Sequence, residues 1–381
     1  MNKRIDTEDL KNVAFILHPI NIDEFKKKAF FYAPFEVLVA WLLNQFSPKV
    51  VKNFFSKLPP HSFMSIHNLK SPSNLMIDVQ GIMCGLFPEE VVVNKEAALK
   101  KVLDAINYAV RKDAQVVVLA GFTSIVCSNE QCIESIVRDT NIIITSGNTF
   151  TAALAIDGIL KSAELLQINP SKSTLAVIGA TGDIGSICAK VLSKRFRNVI
   201  LCSRNIQNDD LIVKETSVFA NKVIIENNFS DAVKNSEVIL LATSSFISFI
   251  SSADVKPYSI ICDVSLPHNV DHDFLEKRRD VFVFDGGRSM INCDSQDKKW
   301  ANFVKNNSIY GCIAEGLILG FEKEYKKFSI NRGDITEDNI CKILSLGEKN
   351  GFGLADFSFH EIPYKQEDLK MYRDLFISRH C

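Results

Sequence analysis

STLAVIGATGDIGSICAKVLSKRFRNVILCSR, running from Ser173 to Arg204, decides how this chain folds. It opens with a short apolar run, Leu175 to Ile178, long enough for a buried strand and carrying β-branched Val177 and Ile178. Gly179, Gly182 and Gly185 follow, then a helical pattern with Ile187, Val191 and Leu192 on one face. A second apolar run, Val199 to Cys202, ends at Ser203-Arg204. Strand, glycine turn, helix and strand in that order make one βαβ unit with a dinucleotide fingerprint in its proper setting. The turn brings the backbone of Gly179, Ala180, Thr181 and Gly182 up to a pyrophosphate. The free N–H groups at the helix start, from Asp183, Ile184 and Gly185, meet its charge.

The glycine spacing is G-x-x-G-x-x-G, and the second strand ends in Ser203-Arg204-Asn205. An NAD site would place a carboxylate there, on the ribose hydroxyls, and a carboxylate repels a 2′-phosphate. A hydroxyl and a guanidinium bind one, so NADPH is the expected cofactor. The alternative for Arg204 is a solvated charge at a strand end.

The 381 residues leave room for two domains of ordinary size. With 44 basic and 45 acidic residues there is no basic excess to release counterions, so nucleic acid is not expected as a partner. Ten cysteines are scattered without a C-x-x-C pair or a ligand-like spacing to histidine. Neither a metal site nor a disulfide framework is expected, and a reducing cytoplasm is the expected compartment. The polar start MNKRIDTEDLKN does not read as a signal peptide. No run reaches the roughly 18 apolar residues of a membrane span.

Ahead of the glycine turn, Val13 to Leu17 reads as a strand, followed by His18-Pro19. Ala29 to Phe46 is mostly apolar, and KVVKNFFSKL, Lys49 to Leu58, reads as an amphipathic helix. Lysines flank both. Such a pair suits a peripheral contact with a membrane surface, a cap on the protein's own core, or the wall of a long apolar pocket. Leu75 to Gln80 reads as a strand and Glu96 to Arg111 as a helix. Two further strands, Gln115 to Ala120 and Asn141 to Thr145, run into small hydroxylated loops: Gly121-Phe122-Thr123-Ser124 and Ser146-Gly147-Asn148-Thr149. Together the loops suit a polar substrate floor, with Asn148 or Thr149 capping the helix that follows. After the glycine unit, strands are expected at Lys222 to Ile225, Val238 to Ala242, Ile260 to Val264 and Val281 to Phe284. Thr243, Ser244, Asp263, Asp285, Gly286 and Gly287 fall at their C-terminal ends, where an open α/β sheet gathers its chemistry. Structural loop capping is the alternative for both aspartates.

A last substantial helix is expected from Tyr310 to about Phe328. It carries Cys312 in its first turn, where the helix dipole favours a thiolate. Glu315 follows at i+3, placed to act as an acid or base or to hold a partner group. Gly311, Ala314, Gly316 and Gly320 make the helix thin enough to pack against a cofactor or another backbone. A small core cysteine is the alternative for Cys312.

Six motifs in order resemble the long-chain acyl-[acyl-carrier-protein] reductases of the cyanobacterial alkane pathway and the wider predicted-dehydrogenase group around them. They are GFTSI at Gly121 to Ile125, TSGNT at Thr145 to Thr149, VIGATGDIG at Val177 to Gly185, Ser203-Arg204-Asn205, Asp285-Gly286-Gly287, and G-C-x-A-E at Gly311 to Glu315. The resemblance covers roughly residues 85 to 355. It implies that Cys312 takes an acyl group from an acyl-carrier-protein or coenzyme A thioester and that NADPH reduces it to a free aldehyde. It also implies Ser124, Asn148 and Thr149 as oxyanion donors and an aldehyde-consuming partner enzyme. The N-terminal part with its helices, Ala29 to Pro60, is longer than and different from that of the cyanobacterial enzymes and looks more like the wider group, and the tail from Glu361 to Cys381 has no counterpart in the pattern.

The expectation is therefore a two-domain α/β protein. Residues 1–170 form a substrate domain, 171–300 an NADP-binding Rossmann domain, and 301–381 C-terminal helices that carry Cys312 back to the substrate domain. Two rivals share this plan: a shikimate- or amino-acid-type dehydrogenase acting on a small polar substrate, and a non-catalytic NADP-binding protein.

Overall fold

The computed structural model describes residues 11–20, 45–127, 131–140, 142–208, 210–245, 247–322, 329 and 334–378. Residues 29–44 of the apolar N-terminal segment, and 323–328 at the end of the expected Cys312 helix, lie outside them.

The first sheet holds β1 (Lys11–Leu17), β2 (His61–Lys70), β3 (Met76–Met83), β4 (Ala114–Leu119) and β5 (Ile143–Thr145), in the order β2-β3-β1-β4-β5. β2 runs antiparallel to β3 and the remaining pairs are parallel. Val13 to Ile16 are fully buried because both faces of β1 are covered, which is why a continuous apolar run marks the strand. Ala14, Ile16, Val117 and Leu119 face the helix α1 (Lys95–Arg111), whose N-terminus is capped by Asn94. Val13, Phe15, Val116 and Val118 face the other way, into the central core. β2 was not expected from the sequence: it is an irregular edge strand whose burial pattern never becomes an apolar run.

The amphipathic segment after Ser47 forms a helix, Pro48–Phe55. It buries Val51 and Phe55 against Met83 and Phe87 and leaves Val50 and Phe54 exposed. So it caps the protein's own core with one face only. Among the described residues no helix is long and apolar enough to cross a membrane.

The second sheet holds β6 (Thr174–Ile178), β7 (Asn198–Cys202), β8 (Lys222–Glu226), β9 (Val238–Leu241), β10 (Ile260–Asp263) and β11 (Phe282–Asp285). Its order is β11-β10-β9-β6-β7-β8, all parallel. This is the doubly wound Rossmann order, with the glycine turn at the reversal between β6 and β9. The α/β class expected from the sequence is the observed one.

Between the sheets lies α2 (Asn148–Leu165), with two thirds of its residues buried. A helix apolar on every side has to be buried on every side. It packs on α3 (Asp183–Leu192), which follows the glycine turn, and on β10. It also packs on α4 (Gly311–Phe321) and α5 (Glu337–Lys349). α4 lies across β1 and β4. A Cβ on Gly316 would stand 2.0 Å from Val118 Cγ2, so the thin face noted in the sequence serves backbone-to-sheet packing. A small antiparallel sheet, β13 (Ser308–Tyr310), β12 (Arg288–Ile291) and β14 (Phe352–Leu354), joins the second sheet to α4. A hairpin, β15 (Ser358–Phe359) and β16 (Ile362–Pro363), precedes the final helix Gln366–Ser378.

Candidate active site

The C-terminal ends of parallel strands from both sheets open into one cavity of about 630 Å³. Leu17 and His18 reach it from β1, Gly121, Phe122 and Ser124 from β4, and Ser146 and Asn148 from β5. The second sheet contributes Gly182 to Ile184 after β6, Thr243 and Ser244 after β9, Asp263 at the end of β10, and Asp285 to Gly287 at the end of β11. Cys312 enters at the start of α4. Strand ends collect there because neither sheet covers its own C-terminal edge.

On the cofactor side, Gly179 N and Ala180 N donate to Cys202 O at 2.9 and 3.1 Å, tying the turn between β6 and α3 to the end of β7. A Cβ on Gly179 would stand 2.2 Å from Ala242 O, and one on Gly185 would stand 2.2 Å from Gly179 O. Gly182, the N-cap of α3, is exposed, and no side chain caps that helix. Its first N–H groups are thus open to an anion, and the residues present fit a dinucleotide. Thr181 and Ser203 are hydrogen-bonded to each other at 2.7 Å. Arg204 and Asn205 are exposed beside them, just past the C-terminal end of β7, and do not line the cavity. Asp263 shows the loop capping given as its alternative. Its carboxylate is buried and accepts from Ser265 N, Asn269 N and Val270 N at 3.0, 2.7 and 3.1 Å, so it shapes its own loop.

On the substrate side, Cys312 is half-buried at the second position of α4. Gly147 makes its placement possible. At φ +72, a Cβ there would stand 2.1 Å from Cys312 Cα, so the TSGNT loop accepts the helix only with glycine at that position. Burial pushes the Cys312 thiol up to about 11; the Ile313 N–H and the Arg288 charge pull down, and Glu315 adds to the rise. The expected thiolate is therefore a thiol in the free protein, because desolvation outweighs the helix end.

Of the two roles open to Glu315 the structure shows the holding one, and Thr149 departs from expectation. Glu315 is fully buried, accepting from Thr145 Oγ1 at 2.5 Å and from Phe150 N at 2.8 Å. It ties α4 to β5 and α2 and does not line the cavity, so it is a positioning residue, not an acid or base. Thr149 is equally buried, with its hydroxyl 2.5 Å from Ser329 Oγ, and it offers no hydroxyl to the cavity. Ser124 and Asn148 do line it. Ser124 Oγ donates to Gly121 O at 2.8 Å, because the expected loop is the first turn of a short helix, Phe122–Cys127. Asn148 Nδ2 donates to Asp183 Oδ2 at 3.3 Å, linking the TSGNT loop to the glycine-turn helix.

Several wall residues escaped the sequence reading. His18 Nε2 accepts from Phe122 N at 2.9 Å, and its position directly after a buried strand was the available signal. Arg288, Tyr310 and Glu361 also line the cavity. Glu361 arrives from the hairpin β15–β16, whose tip is fastened to Asp285 by His360 N, Glu361 N and Ser358 Oγ at 2.8, 2.8 and 2.7 Å. His268 stands between Asp263 and Asp285, at 3.7 and 3.5 Å. Burial lowers its pKa, but the two carboxylates raise it further, and the net direction is upward.

The Shikimate / quinate 5-dehydrogenase family matches residues 161–285, which hold the whole second sheet. Among curated proteins, the chain is 25% identical over 270 residues to Aminotransferase PigE of a Serratia species, covering 70% of this chain and 31% of that protein. It is 27% identical over 311 residues to the Long-chain acyl-[acyl-carrier-protein] reductase of Synechococcus elongatus, covering 78% and 89%. Against Glutamyl-tRNA reductase of Caldivirga maquilingensis it is 31% identical over 187 residues, covering 48% and 43%. The chain thus spans about a third of the first of these relatives and under half of the third. A dehydrogenase family and two reductases are thus among the proteins this chain resembles, and its parallel second sheet with the glycine turn has the Rossmann arrangement.

Proposed function

We propose that the protein reduces an acyl thioester, carried by acyl carrier protein or coenzyme A, to an aldehyde, with Cys312 holding the acyl group. The observation that carries this reading is the position of Cys312. It opens at a helix start into the cavity whose other wall is the glycine-turn helix. The match to an acyl-[acyl-carrier-protein] reductase over most of both chains supports it.

Gly179, Ala180, Gly182 and the start of α3 would hold the pyrophosphate of NADPH, with Thr181, Ser203, Arg204 and Asn205 toward its 2′-phosphate. When bound, the cofactor supplies the hydride. The chain's own residues do the rest. Cys312 Sγ attacks the thioester carbon, and the departing carrier sulfur takes up the proton that Cys312 releases, so the exchange is nearly isoenergetic. Leu17, Phe63, Met64, Phe122 and Ile125 give the cavity an apolar flank for the acyl chain. Ser124 and Asn148 form its polar floor.

The family match over residues 161–285 favours a second reading, a dehydrogenase of small polar substrates. The two readings separate in one experiment. Incubation with decanoyl-coenzyme A is expected to add one acyl mass at Cys312, and NADPH is expected to release decanal. Full NADPH oxidation by Cys312→Ala on any acyl thioester would exclude the covalent route.

A further inference from the structure

The cavity wall beside Cys312 is cationic in a way no sequence motif announced. Arg288 is 5% exposed and lines the cavity. In the β12–β13 pairing it stands opposite Tyr310, and Gly311 N donates to Gly287 O at 2.8 Å. The strand pair therefore delivers Arg288 alongside the first turn of α4, where Cys312 sits. Directly opposed residues share a face of a sheet, and the guanidinium lies 4.4 Å from the centre of the Tyr310 ring.

The charges around it do not cancel. Arg288 Nη2 donates to Ser308 Oγ at 2.7 Å, and Nη1 lies 3.6 Å from Glu361 Oε1. That same carboxylate accepts from Tyr310 Oη at 2.8 Å and pairs with Lys305 at 3.1 Å. Two cations thus share one carboxylate. The Nε proton of Arg288 is buried and has no hydrogen-bond partner among the described residues. Asp285 is occupied by the hairpin tip and faces His268. Meanwhile the expected oxyanion donors are engaged: Thr149 faces Ser329, Ser124 donates to Gly121, and Asn148 uses one amide proton on Asp183.

We infer that Arg288 is a catalytic residue of acyl transfer to Cys312, holding first the Sγ thiolate and then the oxyanion of the tetrahedral adduct. In that step the Cys312 S–H gives up its proton, the S–C bond forms, and the carbonyl pair moves onto oxygen. The pair then returns as the bond from carbon to the carrier sulfur breaks, and that sulfur takes up the proton that Cys312 released. No oxidant or reductant enters. A preorganised cation has its greatest effect on such an oxyanion in a dry site. The direction of its effect on the free thiol agrees: the Arg288 charge opposes the upward push of burial on Cys312.

The inference rests on the thioester reading for its substrate but not for its first test. Cys312 alkylation by iodoacetamide, followed by peptide mass from pH 7 to 10, needs no substrate. Arg288→Gln is expected to slow it about tenfold at fixed pH, and Arg288→Lys to restore most of the rate. Glu361→Gln is expected to speed it, since removing the carboxylate leaves more positive charge beside the sulfur; a poorly folded variant would not mimic that matched pair of opposite signs. The second test is acyl-adduct formation from decanoyl-coenzyme A without NADPH, expected to fall about 10²-fold in Arg288→Gln, with only partial recovery in Arg288→Lys. Alkylation of Arg288→Gln within twofold of the native rate across the pH range, or no acceleration in Glu361→Gln, overturns the inference. Native protein that takes no acyl group while these alkylation differences persist overturns the thioester reading instead.

Discussion

Gly147 shows how much of this site rests on single atoms. Its positive φ and its contact with the Cys312 backbone are two separate demands that only glycine meets. Gly147→Ala is expected to cost at least about 2 kcal/mol in urea unfolding and to remove acyl transfer, since relief requires moving the start of α4. Glu361 gives a pH signature. Burial raises its pKa, but Tyr310, Arg288 and Lys305 outweigh that and hold it down to about 2. A carboxyl depressed in the folded state stabilises above its unfolded value and loses that stabilisation as pH falls. The stability gap between native protein and Glu361→Gln, on the order of 2 kcal/mol at pH 7, should close between about pH 4.5 and 2. Equal acid sensitivity of the two proteins in denaturant titrations would remove Glu361 as a contributor. The sequence placed Cys312, Ser124 and Asn148 on the cavity. It misjudged Thr149 and left Glu315 between an acid–base and a holding role, because a carboxylate or hydroxyl looks the same in sequence whether it faces the cavity or the core.

At the level of elements, parallel strands were the most legible part. Covered on both faces, β1, β4, β6 and β9 to β11 stand out as apolar runs. β2 did not, since an edge strand needs no such run, and Phe122–Cys127 hid its helix behind small hydroxylated residues. The hairpin at Ser358 to Pro363 carried no pattern at all. Its place depends on Asp285, 73 residues before Ser358. α4 was visible as a thin helix, but only the structure says what it is thin against. Gly316→Ala is expected to destabilise by roughly 1–3 kcal/mol through Val118, despite alanine's better helix propensity. A gain in melting temperature would mean that α4 does not lie this close to the sheet.

Across the whole molecule, one core cluster contains Val13 and Phe15 from the first sheet, Leu175, Val177 and Leu240 from the second, and Phe150 and Leu154 from α2 between them. With the apolar packing shared in this way, thermal unfolding is expected to be a single transition. NADP⁺ at about a hundred times its dissociation constant should raise that transition as one, by roughly 2.7 kcal/mol of stabilisation. Two calorimetric peaks, only one of them responding to NADP⁺, would mean that the halves unfold separately.

The fastening of the hairpin to Asp285 also bears on the order in which the site is made. Translation runs from the amino end, so the glycine turn, Arg288 and Cys312 are all synthesised before Glu361. Until Ser358 to Glu361 dock on Asp285, Tyr310 and Lys305 lack their shared carboxylate, and the cavity is missing part of its wall. A message carrying a premature stop just ahead of Ser358 would still encode all six motifs, from Gly121 to Glu315, on which the proposed function rests. Its product would hold Cys312 in an unfinished pocket, so a stretch translated after all of those motifs governs when the cysteine comes under the control of its surroundings.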